Sequence, residues 1–131
     1  MENLALKSSY LKNPLTLAYL GDAVFTLMVR KHLVEGCTLK PNGLNKKANS
    51  VVCAKFQATI MQGLKDSLLE DEMDIVMRAR NSHLNSKAKN STLAEYSLAT
   101  QFEALVGYWY LNENYERLDA MFEAFVVDEL C

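Results

Sequence analysis

Apolar residues recur along this chain at the spacing of helices, and the longest such segment starts near residue 13. Asn13 and Pro14 form a typical helix start, with asparagine as the N-cap and proline in the first helical position. The helix is predicted to continue to about Glu35, with Gly36 as its C′ residue. Because its side chains are apolar on nearly every side, it is predicted to be the central, buried helix of the domain.

Two helices are predicted in the middle of the chain. Apolar positions follow helical spacing over residues 44–64, which indicates one helix. Ser67 and Glu70 have the spacing of a capping box, in which a hydroxyl and a carboxylate satisfy backbone N–H groups at a helix start. This box predicts a helix that ends near Arg80.

The last part of the chain contains a polar loop and two further helices. Residues 81–91 are polar and non-periodic, and loops of this length inside compact domains are usually functional or mobile. Thr92 and Glu95 form a second capping box, which predicts a helix to about Leu111. Asn114 is the predicted N-cap of a final amphipathic helix. Since no segment carries the alternating pattern of a strand, the fold is predicted to be all-α, a helical bundle around the central buried helix.

Length and composition indicate one domain that covers residues 1–131. The chain is 50% hydrophobic and has only two prolines, which argues against disorder. No apolar run reaches the ~20 residues of a membrane span, and the first residues lack the features of a signal peptide. With only two histidines, no zinc-type ligand cluster is available. An odd number of cysteines predicts free thiols in a reducing cytoplasm; they are Cys37, Cys53 and Cys131.

The net charge of −2 conceals an uneven distribution of charge. Residues 30–55 contain six basic side chains and one acid, and residues 75–94 contain four basic side chains and no acid. Residues 113–129 contain six acids and a single base. Such basic segments can bind a polyanion locally even in an acidic protein. On charge alone, ordinary solvated surface is an equally good interpretation.

Two apolar segments each carry one carboxylate near a glycine. Asp22 follows Gly21 in the first helix, and Glu103 precedes Gly107 in the helix that starts at Thr92. The glycines would let the two backbones approach closely, so both acids are predicted to point inward to one shared site. Two carboxylates in one apolar interior are destabilising unless a cation lies between them, and magnesium or manganese suits oxygen ligands best.

Each carboxylate also has an ordinary structural interpretation. In one, Gly21 ends a helix and Asp22 caps the next, since Gly-Asp is common at turns. In the other, Glu103 pairs with an arginine or accepts a hydrogen bond from Tyr96 or Tyr110. The residue pattern alone leaves these interpretations open.

The same segments resemble a known family. Residues 17–24 (LAYLGDAV) resemble the signature helix of the ribonuclease III catalytic domain, and residues 102–107 (FEALVG) resemble its second acidic motif. Residues 78–81 (RARN) and 96–103 (YSLATQFE) resemble Mini-III, the bacterial variant with a catalytic domain and no double-stranded-RNA-binding domain. The resemblance extends in order from about residue 13 to residue 125.

The resemblance implies a ribonuclease III-type endonuclease domain and an activity. The activity would be a magnesium-dependent endoribonuclease that cuts double-stranded RNA, with manganese as a substitute and with Asp22 and Glu103 as catalytic residues and metal ligands. The family works as a homodimer, in which one subunit cuts each strand, and in bacteria it matures large-subunit ribosomal RNA precursor. The implied RNA-binding residues are Arg78, Arg80, Asn81, Lys87 and Lys89, with Lys46 and Lys47 as weaker candidates.

This chain also departs from the wider family. The positions where the wider family carries further acids hold uncharged residues here, namely Leu15, Ala18 and Thr100. Tyr19 lies where the family places an aromatic residue at its dimer contact. Two alternatives remain: a catalytically silent relative that binds RNA structurally, and an all-α interaction module whose basic segments are solvated surface.

Overall fold

The computed structural model of the chain describes residues 12–82 and 92–130. Within these ranges every regular element is helical, which confirms the all-α prediction. The α-helices are α1 (Pro14–Gly36), α2 (Pro41–Val51), α3 (Ala54–Leu64), α4 (Glu70–Asn81), α5 (Leu93–Leu111) and α6 (Tyr115–Phe125). Two single 3₁₀ turns, Lys65–Ser67 and Val127–Glu129, follow α3 and α6.

The bundle is built around α5 rather than around α1. Helix α5 packs against α1, α3, α4 and α6, and the residues from Ala99 to Trp109 are buried with the single exception of Glu103. Helix α1 buries one side but exposes another, where Tyr19 is 85% and Leu27 63% exposed. The prediction of a central buried helix is therefore confirmed, but the helix predicted for that place was wrong. An exposed apolar residue and a buried one look the same in a sequence.

The region predicted as one helix over residues 44–64 is two helices. Val52 and Cys53 leave the helical conformation, and α2 already begins at Pro41. The break has a packing reason: α2 packs against α1, whereas α3 packs against α5. At the end of α1, Gly36 is still helical and Cys37 is the extended C-cap, so the prediction of Gly36 as C′ residue was two positions early.

Three of the predicted helix caps are confirmed and one was wrong. At the start of α1 the backbone N–H of Leu15 donates to Asn13 Oδ1 (2.8 Å). At the start of α5 the backbone N–H of Glu95 donates to Thr92 Oγ1 (3.0 Å), and that of Thr92 donates to Glu95 Oε1 (3.2 Å). The Asn114 side chain caps α6. Ser67 instead donates to the carbonyl of Leu64 within the 3₁₀ turn, and α4 begins at Glu70.

A buried ion pair joins the helices α4, α5 and α6. Glu72 is 1% exposed and accepts hydrogen bonds from Trp109 Nε1 (2.8 Å) and from Arg117 Nε and Nη2 (3.0 and 2.7 Å). The guanidinium of Arg117 also lies over the Trp109 ring, 5.2 Å from its centroid. Arg117 is the single base of the acidic segment 113–129. Through its contacts with Glu72 and Trp109 it links α6 to α4 and α5.

Replacement of Arg117 by methionine should lower the free energy of unfolding by about 3–5 kcal/mol, because Glu72 would stay buried without its charged partner. Chemical denaturation followed by circular dichroism measures this change. Lys31→Met is the matched control, since Lys31 pairs with Glu35 on the surface, where the side chains are 67% and 63% exposed. The control should change stability by less than ~1 kcal/mol. Equal effects of the two substitutions would contradict the structural role of Arg117.

Two further predictions concern the state of the cysteine thiols and the absence of a membrane-spanning segment. Cys53 is free and exposed, but Cys37 is disulfide-bonded, so the expectation of free thiols was wrong for Cys37. Among the described residues no helix is long and apolar enough to cross a membrane.

Candidate active site

The site is positioned by the crossing of α1 and α5 at two glycines. A Cβ atom added to Gly21 would overlap the carbonyl oxygen of Glu103 and would lie 2.9 Å from the backbone nitrogen of Gly107. A Cβ atom added to Gly107 would overlap the carbonyl oxygen of Leu17. The two backbones therefore touch, as the sequence predicted, and only glycine fits at either position.

This crossing brings Asp22 and Glu103 together. Their carboxyl groups are hydrogen-bonded to each other in a cleft of about 360 Å³. The cleft is lined by Leu15, Ala18, Tyr19, Asp22, Tyr96, Thr100 and Glu103. Helix α1 runs unbroken through Asp22, so the alternative in which Asp22 caps a new helix was wrong.

The carboxyl groups lie at the edge of the apolar interior rather than inside it. Asp22 is exposed and Glu103 is half-buried, so the prediction of two inward acids was wrong for Asp22. The difference has a physical reason, because a carboxylate that remains in contact with water avoids most of the desolvation cost. It also leaves the pair accessible to a ligand as large as a phosphate.

The pKa of Glu103 is raised to about 8, chiefly by burial and also by the hydrogen bond to Asp22 and the charge of Asp22. A hydrogen bond from Gln57 opposes this rise. At neutral pH the two carboxyl groups of the metal-free pair therefore share a proton, which reduces the repulsion between their charges. A divalent cation bound at the same place would reduce that repulsion as well. An all-oxygen pair that is open to water suits magnesium or manganese, which keep several waters as ligands.

The protein supplies few ligands for such a cation. Among the described residues no cluster of three or more histidine, cysteine or acidic side chains could hold a metal ion. Leu15, Ala18 and Thr100, which stand where the wider family has further acids, line this same cleft. The hydroxyl of Thr100 donates to the carbonyl of Tyr96 (3.0 Å) within α5. The remaining ligands of a cation would have to be water and substrate oxygens.

The raised pKa predicts how stability depends on pH. In the folded, metal-free protein Glu103 keeps its proton up to about pH 8, whereas in the unfolded chain it loses the proton near its ordinary value of 4.5. The folded state thus binds more protons in this interval, so stability is greatest below it and falls as pH rises towards 8. We expect a loss of roughly 2–4 kcal/mol relative to Glu103→Gln, which cannot titrate. Urea denaturation in the presence of a chelator between pH 5 and 8 tests this, and parallel curves for the two proteins would contradict it.

One residue of the site was missed by sequence reasoning. Gln57 of α3 is 4% exposed and is hydrogen-bonded to Glu103. It occupies the apolar stripe of α3, three, four and seven residues before the buried Ile60, Met61 and Leu64. A polar residue on a buried stripe was the signal that could have identified it.

The implied RNA-binding residues fall into separate groups. Arg80 and Asn81 are exposed at the end of α4, and Arg78 donates from Nη2 to the carbonyl of Lys12 (3.0 Å). This bond brings the end of α4 beside the first turn of α1, whose Leu15 lines the cleft. Lys87 and Lys89 lie outside the described residues.

The weaker RNA-binding candidates, Lys46 and Lys47, lie on α2. Neighbouring residues of α2 share a pocket with Leu33 and Val34 near the end of α1. At 1.5 Å per residue, that part of α1 is about 16 Å from Asp22. The structure therefore does not bring these two lysines to the cleft.

Comparisons with known proteins bear on this site. Residues 15–114 match the Ribonuclease III domain family. Mini-ribonuclease 3 of Brevibacillus brevis is 45% identical over 120 residues, which cover 91% of this chain and 90% of the relative. Mini-ribonuclease 3 of Staphylococcus aureus is 39% identical over 123 residues, which cover 92% of each chain. A crystal structure of a Fusobacterium nucleatum protein is 31% identical, with a TM-score of 0.84, and the match covers 91% of this chain and 95% of that one.

These matches cover both carboxylate-bearing helices. Asp22, Glu103 and the glycine crossing all lie within the matched residues 15–114, and the similar lengths of chain and relatives leave no large part of the relatives unmatched. The chain belongs to the ribonuclease III family, among the Mini-ribonuclease 3 proteins, and is an endoribonuclease of that type.

Proposed function

We propose that this chain is a magnesium-dependent endonuclease of double-stranded RNA, with Asp22 and Glu103 as its metal ligands and catalytic residues. The observation that carries the proposal is the pair of hydrogen-bonded carboxyl groups from α1 and α5 in an open cleft. Manganese can replace magnesium, because both ions take oxygen ligands in octahedral geometry.

The chain's own residues have defined tasks in this reaction. Asp22 and Glu103 would hold the cation by carboxylate oxygens, which requires Glu103 to be deprotonated. When bound, magnesium lowers the pKa of a coordinated water and stabilises charge on the scissile phosphate. Because Asp22 is exposed in the cleft, a phosphate of the RNA backbone could reach the two carboxyl groups, and its oxygens would supply the ligands that the protein lacks. The proposal needs no histidine base: His32 packs against Phe122 of α6 and is not part of the cleft, and His83 lies outside the described residues.

RNA would be held by the end of α4 and the segment that follows it. Arg80 and Asn81 are exposed there, and Lys87 and Lys89 would add phosphate contacts. Duplex RNA is recognised mainly through its shape, its phosphates and its 2′-hydroxyl groups, so we expect little base specificity. Lys46 and Lys47 would contact only a longer duplex, because α2 packs far along α1 from Asp22.

The active form would be a two-fold homodimer that cuts both strands. Exposed apolar residues on α1 support this assembly, since Leu15, Tyr19 and Leu27 lie four or eight residues apart on one side of the helix. Leu15 and Tyr19 also line the cleft, so the dimer contact would adjoin each active site. A two-fold dimer matches the local two-fold symmetry that relates the strands of a duplex.

The physiological substrate would be the precursor of large-subunit ribosomal RNA, processed in the cytoplasm. The names of the relatives support a Mini-ribonuclease 3 activity, and the resemblance of residues 78–81 and 96–103 to that variant supports this substrate.

A cleavage assay on matched duplex and single-stranded RNA, with magnesium or with a chelator, tests the proposal. Cutting of the duplex alone, with magnesium alone, is the expected result. Binding of the duplex without cutting would favour a catalytically silent relative, and absence of RNA binding would favour an interaction module. Light scattering of the same preparation should report a dimer of about twice 14.8 kDa.

A further inference from the structure

Gln57 is a buried polar residue on an otherwise apolar face. It is 4% exposed, and the residues that share its side of α3, Ile60, Met61 and Leu64, are all buried. This face of α3 packs against α5. An apolar side chain of the same length would pack there without the cost of taking an amide out of water. The amide therefore needs a partner that offsets this cost.

That partner is Glu103. The side chain of Gln57 is hydrogen-bonded to the Glu103 carboxyl group; since a carboxylate can only accept, the amide N–H of Gln57 is the donor. Asp22 contacts the same carboxyl group from α1. Glu103 is thus held between α3 and α1, although it is carried by α5.

We propose that Gln57 is the positioning residue of the metal site, which holds the Glu103 carboxylate so that it faces Asp22 and the cleft. This inference rests on the proposed function. A glutamate side chain has three rotatable bonds, and a fixed donor behind it selects the orientation that a cation needs. An amide suits this place because it donates without a charge, whereas a lysine or arginine would neutralise the carboxylate and compete with the cation.

The test is the replacement of Gln57 by methionine, which keeps the length of the side chain and removes the amide. We expect manganese binding without RNA, measured from the electron paramagnetic resonance of free manganese, to weaken by roughly 10–100-fold. The magnesium concentration that gives half-maximal cutting of duplex RNA should rise by a similar factor. The rate at saturating magnesium should fall less, since a high concentration of the cation compensates for a mobile ligand.

Gln101 provides a matched control. It is also 4% exposed and lies on α5 two residues before Glu103, but its amide donates to Ser97 Oγ (3.1 Å). Gln101→Met removes an equally buried amide and should change manganese affinity by less than about twofold. The melting temperature of each variant reports on its folding. If Gln57→Met does not fold, Gln57→Asn replaces it, because the shorter amide no longer reaches Glu103 and the same loss of affinity is expected.

The outcomes separate this inference from the proposed function. If Gln57→Met binds manganese as the unmodified protein does, while Glu103→Gln does not, the role of Gln57 is overturned and the metal site stands. If the Gln57 and Gln101 variants lose affinity equally, the effect is general and the role of Gln57 is again overturned. If Glu103→Gln keeps full manganese affinity, both the metal site and the inference fall.

Discussion

Asp22→Asn and Glu103→Gln should each reduce the cutting of duplex RNA by at least ~10³-fold. Each substitution keeps the shape of the side chain but removes one of the two carboxylates in the cleft. Loss of a metal ligand removes several kcal/mol of transition-state stabilisation, and each 1.36 kcal/mol is a factor of ten in rate. Folding should be retained, because one carboxyl group and one amide still form a hydrogen bond.

The measurement is single-turnover cleavage of a labelled duplex in magnesium, with circular dichroism and light scattering as tests of fold and assembly. Glu123→Gln is the matched control, since Glu123 is an exposed acid on α6. It should cut at the normal rate. Normal turnover by either cleft variant would refute the assignment of Asp22 and Glu103.

The second large effect is expected at the helix crossing. Gly107→Ala should lower the free energy of unfolding by roughly 3 kcal/mol or more, at the upper end of overpacking effects. The added methyl group would overlap a backbone carbonyl of α1, and a backbone cannot give way as a flexible side chain can. The helices must therefore move apart. Asp22 is carried by one helix of this crossing and Glu103 by the other, so moving the helices apart would separate the two acids. Cleavage should therefore fall together with stability.

Gly43→Ala is the matched control for this prediction. Gly43 also lies in a helix, but its added methyl group would lie 3.2 Å from the side chain of Leu39, which is 45% exposed and can shift. Alanine is a better helix former than glycine by about 1 kcal/mol, so the control should be neutral or slightly stabilising. Urea denaturation of both variants measures the contrast. Similar stabilities would show that the close contact of α1 and α5 is not needed.

Local features of the fold were predictable because their causes lie within one helical turn. The caps at Asn13, Thr92 and Asn114 bind backbone groups two or three residues away, so the residues that decide them are adjacent in the sequence. The glycines of the crossing were also visible, since Gly21 and Gly107 interrupt apolar helices close to the two acids. The assignment of Asp22 and Glu103 as metal ligands depends on family resemblance and stays a prediction, but their proximity is now seen.

Other features depend on contacts between distant segments, and the pattern along the chain cannot contain them. The apolar stripe over residues 44–64 is compatible with one helix, and it divides at Val52 because α1 and α5 offer its two halves different surfaces. In the sequence Arg117 is one base among six acids, and nothing near it indicates a buried partner. The partner is Glu72, which is 45 residues away along the chain. Gln57 likewise contacts Glu103 only because α3 packs against α5.

The sequence by itself determined the helical class, the starts of α1, α5 and α6, the glycine crossing and the pair of acids, because hydrogen bonds and side-chain spacing within a helix depend on near neighbours. Only the tertiary structure decided that α5 is the enclosed helix, that Asp22 faces solvent, and that Gln57 is hydrogen-bonded to Glu103. Burial and the pKa of a carboxyl group depend on which distant surfaces meet, and those surfaces are brought together by packing rather than by proximity along the chain.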